Sequence, residues 1–190
     1  MRNSVGQILL YPLRFEPIYQ YRLWGGRRLA DLLTAPMPSG PIGEAWILSD
    51  RDDHASQVAD GPFRGQTIAQ LLSQSLKQML GKLAGRFRRF PLLLKFIDAH
   101  EMLSVQVHPS DAHKDLLPAG ETGKTEAWVV LGAGTASRIY AGLKPGTLQK
   151  TCGGQSLMRR WPTTSYASLQ SPATAFSYRL EQFTLWVATP

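Results

Sequence analysis

The stretch Ser104-Val105-Gln106-Val107-His108-Pro109 alternates polar and apolar side chains over the length of a short strand. Side chains two residues apart share one face of a strand, so Ser104, Gln106 and His108 are expected on one face and both valines on the other. The valine face is typical of a core, and the other face is typical of a polar cavity or of solvent. The stretch therefore predicts a β-protein in which one sheet face carries chemistry.

Short apolar segments separated by turns extend this pattern along the chain. Strands are predicted at residues 8–13, 45–49, 91–98, 103–108, 124–131 and 137–143, and a short helix is predicted to end at Leu33. From Thr67 to Leu83 the apolar residues recur every three or four positions, which predicts an amphipathic helix with Thr67 as its N-cap. We therefore predict a mainly β fold, an antiparallel sandwich or a jelly-roll barrel, with a helical insertion around residues 67–84.

The composition fits a single globular domain. The chain has 190 residues, of which 43% are hydrophobic and 18% are charged, enough to bury a sizeable core. No apolar run approaches the roughly 20 residues that span a bilayer, so no membrane partner is expected. The lone cysteine, Cys152, excludes an internal disulfide and agrees with a reducing compartment, so the predicted location is cytoplasmic.

The net charge of +7 raises the question of a nucleic-acid partner. The basic residues do not interleave with aromatic residues as a base-stacking surface requires, so no nucleic-acid partner is expected. Part of the charge comes from residues 147–190, which contain four basic side chains and one acidic side chain. Such an acid-poor segment is unusual for folded sequence. The oligomeric state is left open.

Two features of the predicted strands point to a polar site. Glu126 follows His108 by eighteen residues, and on neighbouring strands Gln106, His108 and Glu126 would converge on one divalent ion, with zinc the best match to one nitrogen and two oxygen donors. The alternative is a surface histidine and an unrelated glutamate. Lys95 stands in a run of apolar residues, where it needs a polar pocket or a carboxylate partner unless it extends to solvent from an edge strand. For Glu44, which precedes Trp46, the sequence is equally consistent with a carboxylate in a loop.

Several motifs in register make the chain resemble one family. Together they resemble type I mannose-6-phosphate isomerase (phosphomannose isomerase), an enzyme of the cupin superfamily, over about residues 8–146. The motifs are Gly43-Glu44-Ala45-Trp46, Leu92-Leu93-Leu94-Lys95-Phe96-Ile97-Asp98-Ala99, Leu103 to Pro109, Gly123-Lys124-Thr125-Glu126-Ala127-Trp128 and Ile139-Tyr140-Ala141-Gly142-Leu143-Lys144. The resemblance implies a cupin-type jelly-roll barrel.

The resemblance also implies one zinc ion per chain, with Gln106, His108 and Glu126 as ligands. The family should supply a further ligating histidine in a motif like PAGTVHAL, and an arginine in a later segment. This chain has no histidine beyond His113, so the site is expected to lack its fourth protein ligand and the barrel to be incomplete.

For the reaction, the resemblance implies interconversion of mannose 6-phosphate and fructose 6-phosphate. A base would move a proton between C1 and C2 through a cis-enediol, while the metal orients the sugar oxygens. Lys95 and Lys124 are the implied catalytic residues. Ser104, Lys95 and Glu44 are the implied substrate-binding residues, and a small sugar phosphate is the implied partner.

The tail suggests why the pattern stops. The codons allowed for Ser177 to Thr189 can be read in the frame that starts at the third base of each codon. That frame permits the sequence Ile-Pro-Ala-Gly-Ala-Val-His-Ala-Leu-Gly-Gly-Asp, whose histidine arises at the Phe183–Thr184 junction. We therefore expect a frameshift near Gly146–Thr147. Residues 1–146 would be the N-terminal part of the catalytic domain, and residues 147–190 an out-of-frame, poorly ordered tail. Such a polypeptide is expected to be unstable and to show negligible isomerase activity.

Two other functions compete with this interpretation. One is a non-catalytic cupin module that binds a sugar phosphate through the same lysines. The other is a different metal-dependent cupin such as an oxygenase. The ligand set disfavours the oxygenase, because iron oxygenases use two or three histidines.

Overall fold

A computed structural model describes residues 10–103, 126–134, 137–140, 166–168, 175–178 and 184–186. Strands dominate the described residues, as predicted. The strands are β1 (Ile18–Gly26), β2 (Ile42–Leu48), β3 (Asp50–Arg51), β4 (His54–Ala55), β5 (Leu93–Ile97), β6 (Glu126–Val129), β7 (Arg138–Tyr140), β8 (Tyr166–Ser168), β9 (Ala175–Tyr178) and β10 (Thr184–Trp186), and the helices are α1 (Leu29–Leu32) and α2 (Ile68–Leu80), the latter followed by a 3-10 turn at Gly81–Gly85.

Six of these strands form one sheet in the order β1-β2-β5-β10-β6-β9. β1, β2 and β5 are antiparallel neighbours, and so are β6 and β9. β10 is parallel to both β5 and β6, so the sheet is mixed rather than wholly antiparallel as expected. Among the described residues the sheet ends at β1 on one side and at β9 on the other, and two small antiparallel pairs, β3–β4 and β7–β8, lie outside it.

The helical insertion is confirmed, and its start follows from local chemistry. Thr67 Oγ1 accepts a hydrogen bond from the Gln70 backbone N–H at 3.2 Å, and Gln70 Oε1 accepts one from the Thr67 N–H at 2.8 Å. This reciprocal capping box satisfies two of the backbone donors that a helix start leaves unpaired. α2 ends at Leu80, and its C-cap Gly81 has a φ of 54°, a positive value that suits glycine.

Three clusters of buried apolar residues surround α1, α2 and the antiparallel strands β1, β2 and β5. One packs Leu29, Ile42 and Ala45 with Tyr19 and Phe96, which joins α1 to β2 and β5. Two others bury the apolar face of α2 against the end of β2 and the aromatic residues that flank it; they centre on Leu71, Val58 and Phe63, and on Ile68, Leu72 and Leu80. The helix thus packs against the end of β2, one of the two strands that carry the polar residues described below.

Two local predictions were wrong. Residues 10–13 of the predicted first strand have no regular structure, and the first strand of the sheet is instead β1. No strand was predicted over residues 18–26, which follow Pro17, but a proline directly before a strand removes no ladder hydrogen bond. Residues 104–108 of the predicted strand 103–108 lie outside the described residues.

Within the described ranges, no helix combines the length and the apolar character needed to traverse a lipid bilayer.

Candidate active site

A buried ion pair lies on one face of the antiparallel strands. Nζ of Lys95 on β5 lies 3.1 Å from Oε1 of Glu44 on β2, and both residues are only 5% exposed. Charged groups are rarely buried this deeply unless they are paired and hydrogen-bonded. The sequence predicted that a lysine inside this strand needs a polar pocket or a carboxylate partner. The structure shows the carboxylate partner.

Alternation along two strands creates this polar face. On β2, Ala45 and Ile47 enter the core cluster, so Glu44 and Trp46 point to the opposite face. On β5, Phe96 packs into the same cluster, and Lys95 is paired in register with Trp46. Lys95, the polar residue of an otherwise apolar strand, therefore lies beside the Glu44 carboxylate. Glu44 is two residues from Trp46, the cross-strand partner of Lys95.

The second oxygen of Glu44 is also occupied. Oε2 accepts a hydrogen bond from Trp46 Nε1–H at 2.7 Å and one from an Arg22 guanidinium N–H at 3.4 Å. Trp46 also lies near the ammonium of Lys95, with 6.0 Å between Nζ and the ring centroid, and its ring packs against that of His54. Both oxygens of Glu44 therefore accept hydrogen bonds, from two cations and one indole.

Glycines let β1 approach closely enough for Arg22 to reach Glu44. A Cβ at Gly43 would meet Cβ of Arg22 at 2.6 Å and the Trp24 ring at 2.5 Å, and a Cβ at Gly25 would overlap the backbone of Gly43. Any side chain at these positions would push β1 away from β2.

A second buried carboxylate anchors the end of β5. Asp98 is 1% exposed and accepts a hydrogen bond from the Arg28 backbone N–H at 2.7 Å, at the start of α1. Its backbone N–H donates to Gly43 O at 2.9 Å. A Cβ at Gly26 would overlap the Asp98 carboxylate. This contact fixes the turn after β1 relative to the strand that carries Lys95.

The other residues implied for the site are placed only in part. Ser104, Gln106, His108 and Lys124 lie outside the described residues. Glu126 is the first residue of β6, in the same sheet as Lys95, where its backbone pairs with Tyr178. The described part of the chain contains no group of three histidine, cysteine, aspartate or glutamate side chains suited to a metal ion.

Sequence reasoning missed Arg22 and Trp46. For Trp46 a signal existed, because it lies on the predicted strand 45–49, two residues after Glu44, and a strand that begins one residue earlier places both side chains on one face. For Arg22 there was none, since its contact with Glu44 depends on the pairing of β1 with β2.

A cavity of about 360 Å³ lies elsewhere, between α2 and the β3–β4 pair. It is lined in part by Asp50, Leu72, Ser73 and Arg89. Burial raises the pKa of the Asp50 carboxyl, while the Phe90 backbone N–H and the Arg89 guanidinium oppose that rise. Because the cavity includes neither member of the Lys95–Glu44 pair, it is not part of the candidate site.

Comparison with known proteins agrees with these features. A family model described as "Phosphomannose isomerase type I, catalytic domain" matches residues 12–127. The chain is 38% identical over 131 residues to mannose-6-phosphate isomerase ManA of Bacillus subtilis (strain 168), covering 69% of this chain and 40% of that one. It is 35% identical over 131 residues, with the same coverage of 69% and 40%, to the mannose-6-phosphate isomerase of Streptococcus mutans. The chain thus spans less than half the length of the curated relatives it matches.

A solved structure shows the same likeness in three dimensions. The crystal structure of mannose 6-phosphate isomerase from Bacillus subtilis superposes with a TM-score of 0.72 at 27% identity, covering 89% of this chain and 52% of that one. This match confirms the predicted mainly β, cupin-type fold. The family model covers both strands of the buried ion pair and reaches the first residues of β6, and by this match the chain belongs to the type I phosphomannose isomerase family.

Proposed function

We propose that this chain derives from an isomerase that interconverts mannose 6-phosphate and fructose 6-phosphate through a cis-enediol, and that it binds a sugar phosphate beside Lys95 and Glu44. The observation that carries the proposal is the buried pair, with Nζ of Lys95 3.1 Å from Oε1 of Glu44. An ammonium held in place at a polar sheet face is suited to donate to an anionic phosphate or to a sugar oxygen.

The proposed roles follow the chemistry of each side chain. Glu44 orients the Lys95 ammonium through their 3.1 Å contact, and Lys95 meets the substrate. Lys124 is the second candidate for proton transfer between C1 and C2, and the Ser104 hydroxyl would bind the phosphate. The small sugar phosphate is the only partner that these groups suggest.

The proposed metal is zinc, with Gln106, His108 and Glu126 as its ligands. An amide oxygen, an imidazole nitrogen and a carboxylate oxygen form a donor set that zinc accepts. When bound, zinc would orient the sugar oxygens and lower the cost of negative charge developing on them.

We further propose that residues 147–190 are read out of frame. The support is the family-like path permitted in the shifted frame, together with the acid-poor composition of this segment. Sequencing across codon 146 tests this, and a locus without a family-like alternative frame would exclude it.

The function is tested with the purified 190-residue chain. We expect calorimetry to show binding of mannose 6-phosphate, metal analysis to show zinc held weakly, and an isomerase assay to show negligible turnover. Glucose without a phosphate is the control ligand and is not expected to bind. Absence of mannose 6-phosphate binding would remove the sugar-phosphate proposal, whereas ordinary turnover would overturn the proposed loss of activity. Binding without turnover in the frame-restored chain as well would favour a non-catalytic module.

A further inference from the structure

We propose that Trp46 and Arg22 are positioning residues, which hold one carboxylate oxygen of Glu44 so that the other oxygen is directed at Lys95. This inference rests on the proposed function, in which Lys95 meets the sugar phosphate. Neither residue is assigned a role by the sequence motifs.

The inference rests on the different hydrogen-bond donors of the two Glu44 oxygens. Oε1 accepts from Lys95 at 3.1 Å, while Oε2 accepts from the Trp46 indole at 2.7 Å. A carboxylate can turn about its terminal bond, and both oxygens are chemically alike. With a short bond to the indole on Oε2, turning the group would break a hydrogen bond inside a buried site, which is costly.

The position of Trp46 on β2 allows its indole to hold Oε2 of Glu44. It lies two residues from Glu44 on β2 and is paired with Lys95 on β5, so one side chain lies beside both members of the ion pair. Its indole N–H bonds to the carboxylate while its ring lies near the ammonium. The ring also packs against His54, which limits its rotation.

Arg22 acts from the solvent side of the same oxygen. Its side chain is 37% exposed, and its guanidinium lies 3.4 Å from Oε2. At that distance and exposure its contribution is smaller than that of the indole. It adds a positive charge to the side of Glu44 that Lys95 does not occupy.

Four variants separate positioning from packing. Trp46→Phe keeps an aromatic ring and removes the N–H donor. Arg22→Gln removes the charge, and Arg22→Lys keeps it. Arg27→Gln is the matched control, because Arg27 is an exposed arginine whose side chain donates to Gly40 O and not to Glu44.

The first readout is the acetylation rate of Lys95 by an N-hydroxysuccinimide ester, measured by mass spectrometry relative to the exposed Lys77 and Lys82. An amine that donates to a fixed carboxylate reacts slowly. We expect Trp46→Phe to raise the Lys95 rate about tenfold, as loss of one hydrogen bond to a charged group implies, and Arg22→Gln to raise it about twofold to threefold. Arg22→Lys should keep the Lys95 acetylation rate close to that of wild type, and Arg27→Gln should leave the rate unchanged.

The second readout is the dissociation constant for mannose 6-phosphate, measured by calorimetry. We expect Trp46→Phe to weaken binding about tenfold, because the ammonium is no longer held in one place. Circular dichroism shows which variants are folded, and Arg22→Gln, at a half-exposed position, keeps the test open if Trp46→Phe does not fold.

The two proposals fail in different ways. An unchanged Lys95 acetylation rate in folded Trp46→Phe and Arg22→Gln overturns the positioning role, whatever the wild-type chain binds. Equal effects of Arg22→Lys and Arg22→Gln overturn the electrostatic role of Arg22. If acetylation responds but the wild-type chain binds no mannose 6-phosphate, the positioning role holds and the proposed function fails.

Discussion

At the residue scale, the candidate site depends on one buried ion pair and the groups that satisfy it. Lys95 was predicted to need a polar pocket or a carboxylate, because an ammonium in an apolar strand is otherwise too costly. The partner is Glu44, which sequence alone left open to interpretation as a loop residue. The chemistry of lysine predicts that Lys95 needs a polar partner, but which residue is that partner depends on the register between β2 and β5.

The pair predicts strong coupling in stability. Lys95→Met and Glu44→Gln should each lower the free energy of unfolding by about 3 kcal/mol, because each removes one charge of a buried ion pair. The double variant should cost about 1–3 kcal/mol less than the sum of the two. Urea denaturation of all four proteins measures this. Lys82→Met, at an exposed lysine, should change stability by less than about 0.5 kcal/mol. Strict additivity of the two buried variants would show that the pair is not coupled.

Asp50 predicts a pH dependence. Burial raises its pKa in the folded chain above the ordinary value of 3.8, so its stabilising contribution is present below that value and is lost as pH rises through the folded pKa. Asp50→Asn removes the titration and keeps an oxygen that can accept from the Phe90 N–H. The stability of Asp50→Asn relative to wild type should therefore increase with pH over this window, as measured by urea denaturation at a series of pH values.

A neutral neighbour provides the control for this trend. Ser73→Ala alters another residue that lines the same cavity but carries no titrating group, so its stability relative to wild type should be the same at each pH. A flat difference for Asp50→Asn as well would show that burial does not control this carboxyl.

At the element scale, the best prediction was the helix and the poorest was the first strand. The apolar period of residues 67–83 and the Thr67 cap are local signals, and they located α2 to within a few residues. β1 was missed because its formation depends on pairing with β2 and on the close approach that Gly25 and Gly43 allow. Strand formation responds to such neighbours more than helix formation does.

The capping box predicts a measurable helix contribution. Thr67→Ala removes the acceptor for the Gln70 N–H and should lower the free energy of unfolding by about 1 kcal/mol. Thermal unfolding followed by circular dichroism measures it. Gln78→Ala, an exposed change of similar helix propensity in the same helix, should stay within about 0.5 kcal/mol of wild type. Equal effects of both changes would mean that the cap does not stabilise α2.

At the scale of the whole molecule, the sheet joins residues that are far apart in sequence. β10 lies between β5 and β6, and both of its pairings are parallel. Parallel neighbours require long connections, which no pattern of adjacent strands and turns predicts. The cupin-type fold was predictable from several motifs in register, but this strand order was not.

The proposed domain boundary predicts a proteolysis pattern. If residues 147–190 are out of frame, limited trypsin treatment should cut at Lys150, Arg159 and Arg160 before it cuts the sheet between β1 and β5. Mass spectrometry would then show a stable fragment that ends near Lys150. Early cleavage at Arg86, Arg88 or Arg89 with the tail intact would contradict the proposed boundary and indicate that the pairing of β10 protects the tail.

The sequence by itself determined the family, the mainly β class, the helical insertion and the need of Lys95 for a polar partner, because alternation, helical period, capping and burial cost are properties of short segments. Only the tertiary structure decided that Glu44 is that partner, that Trp46 and Arg22 hold its second oxygen, and that Asp98 ties the start of α1 to the end of β5. Those contacts join β1, β2 and β5, and their geometry exists only once strand order and register are set.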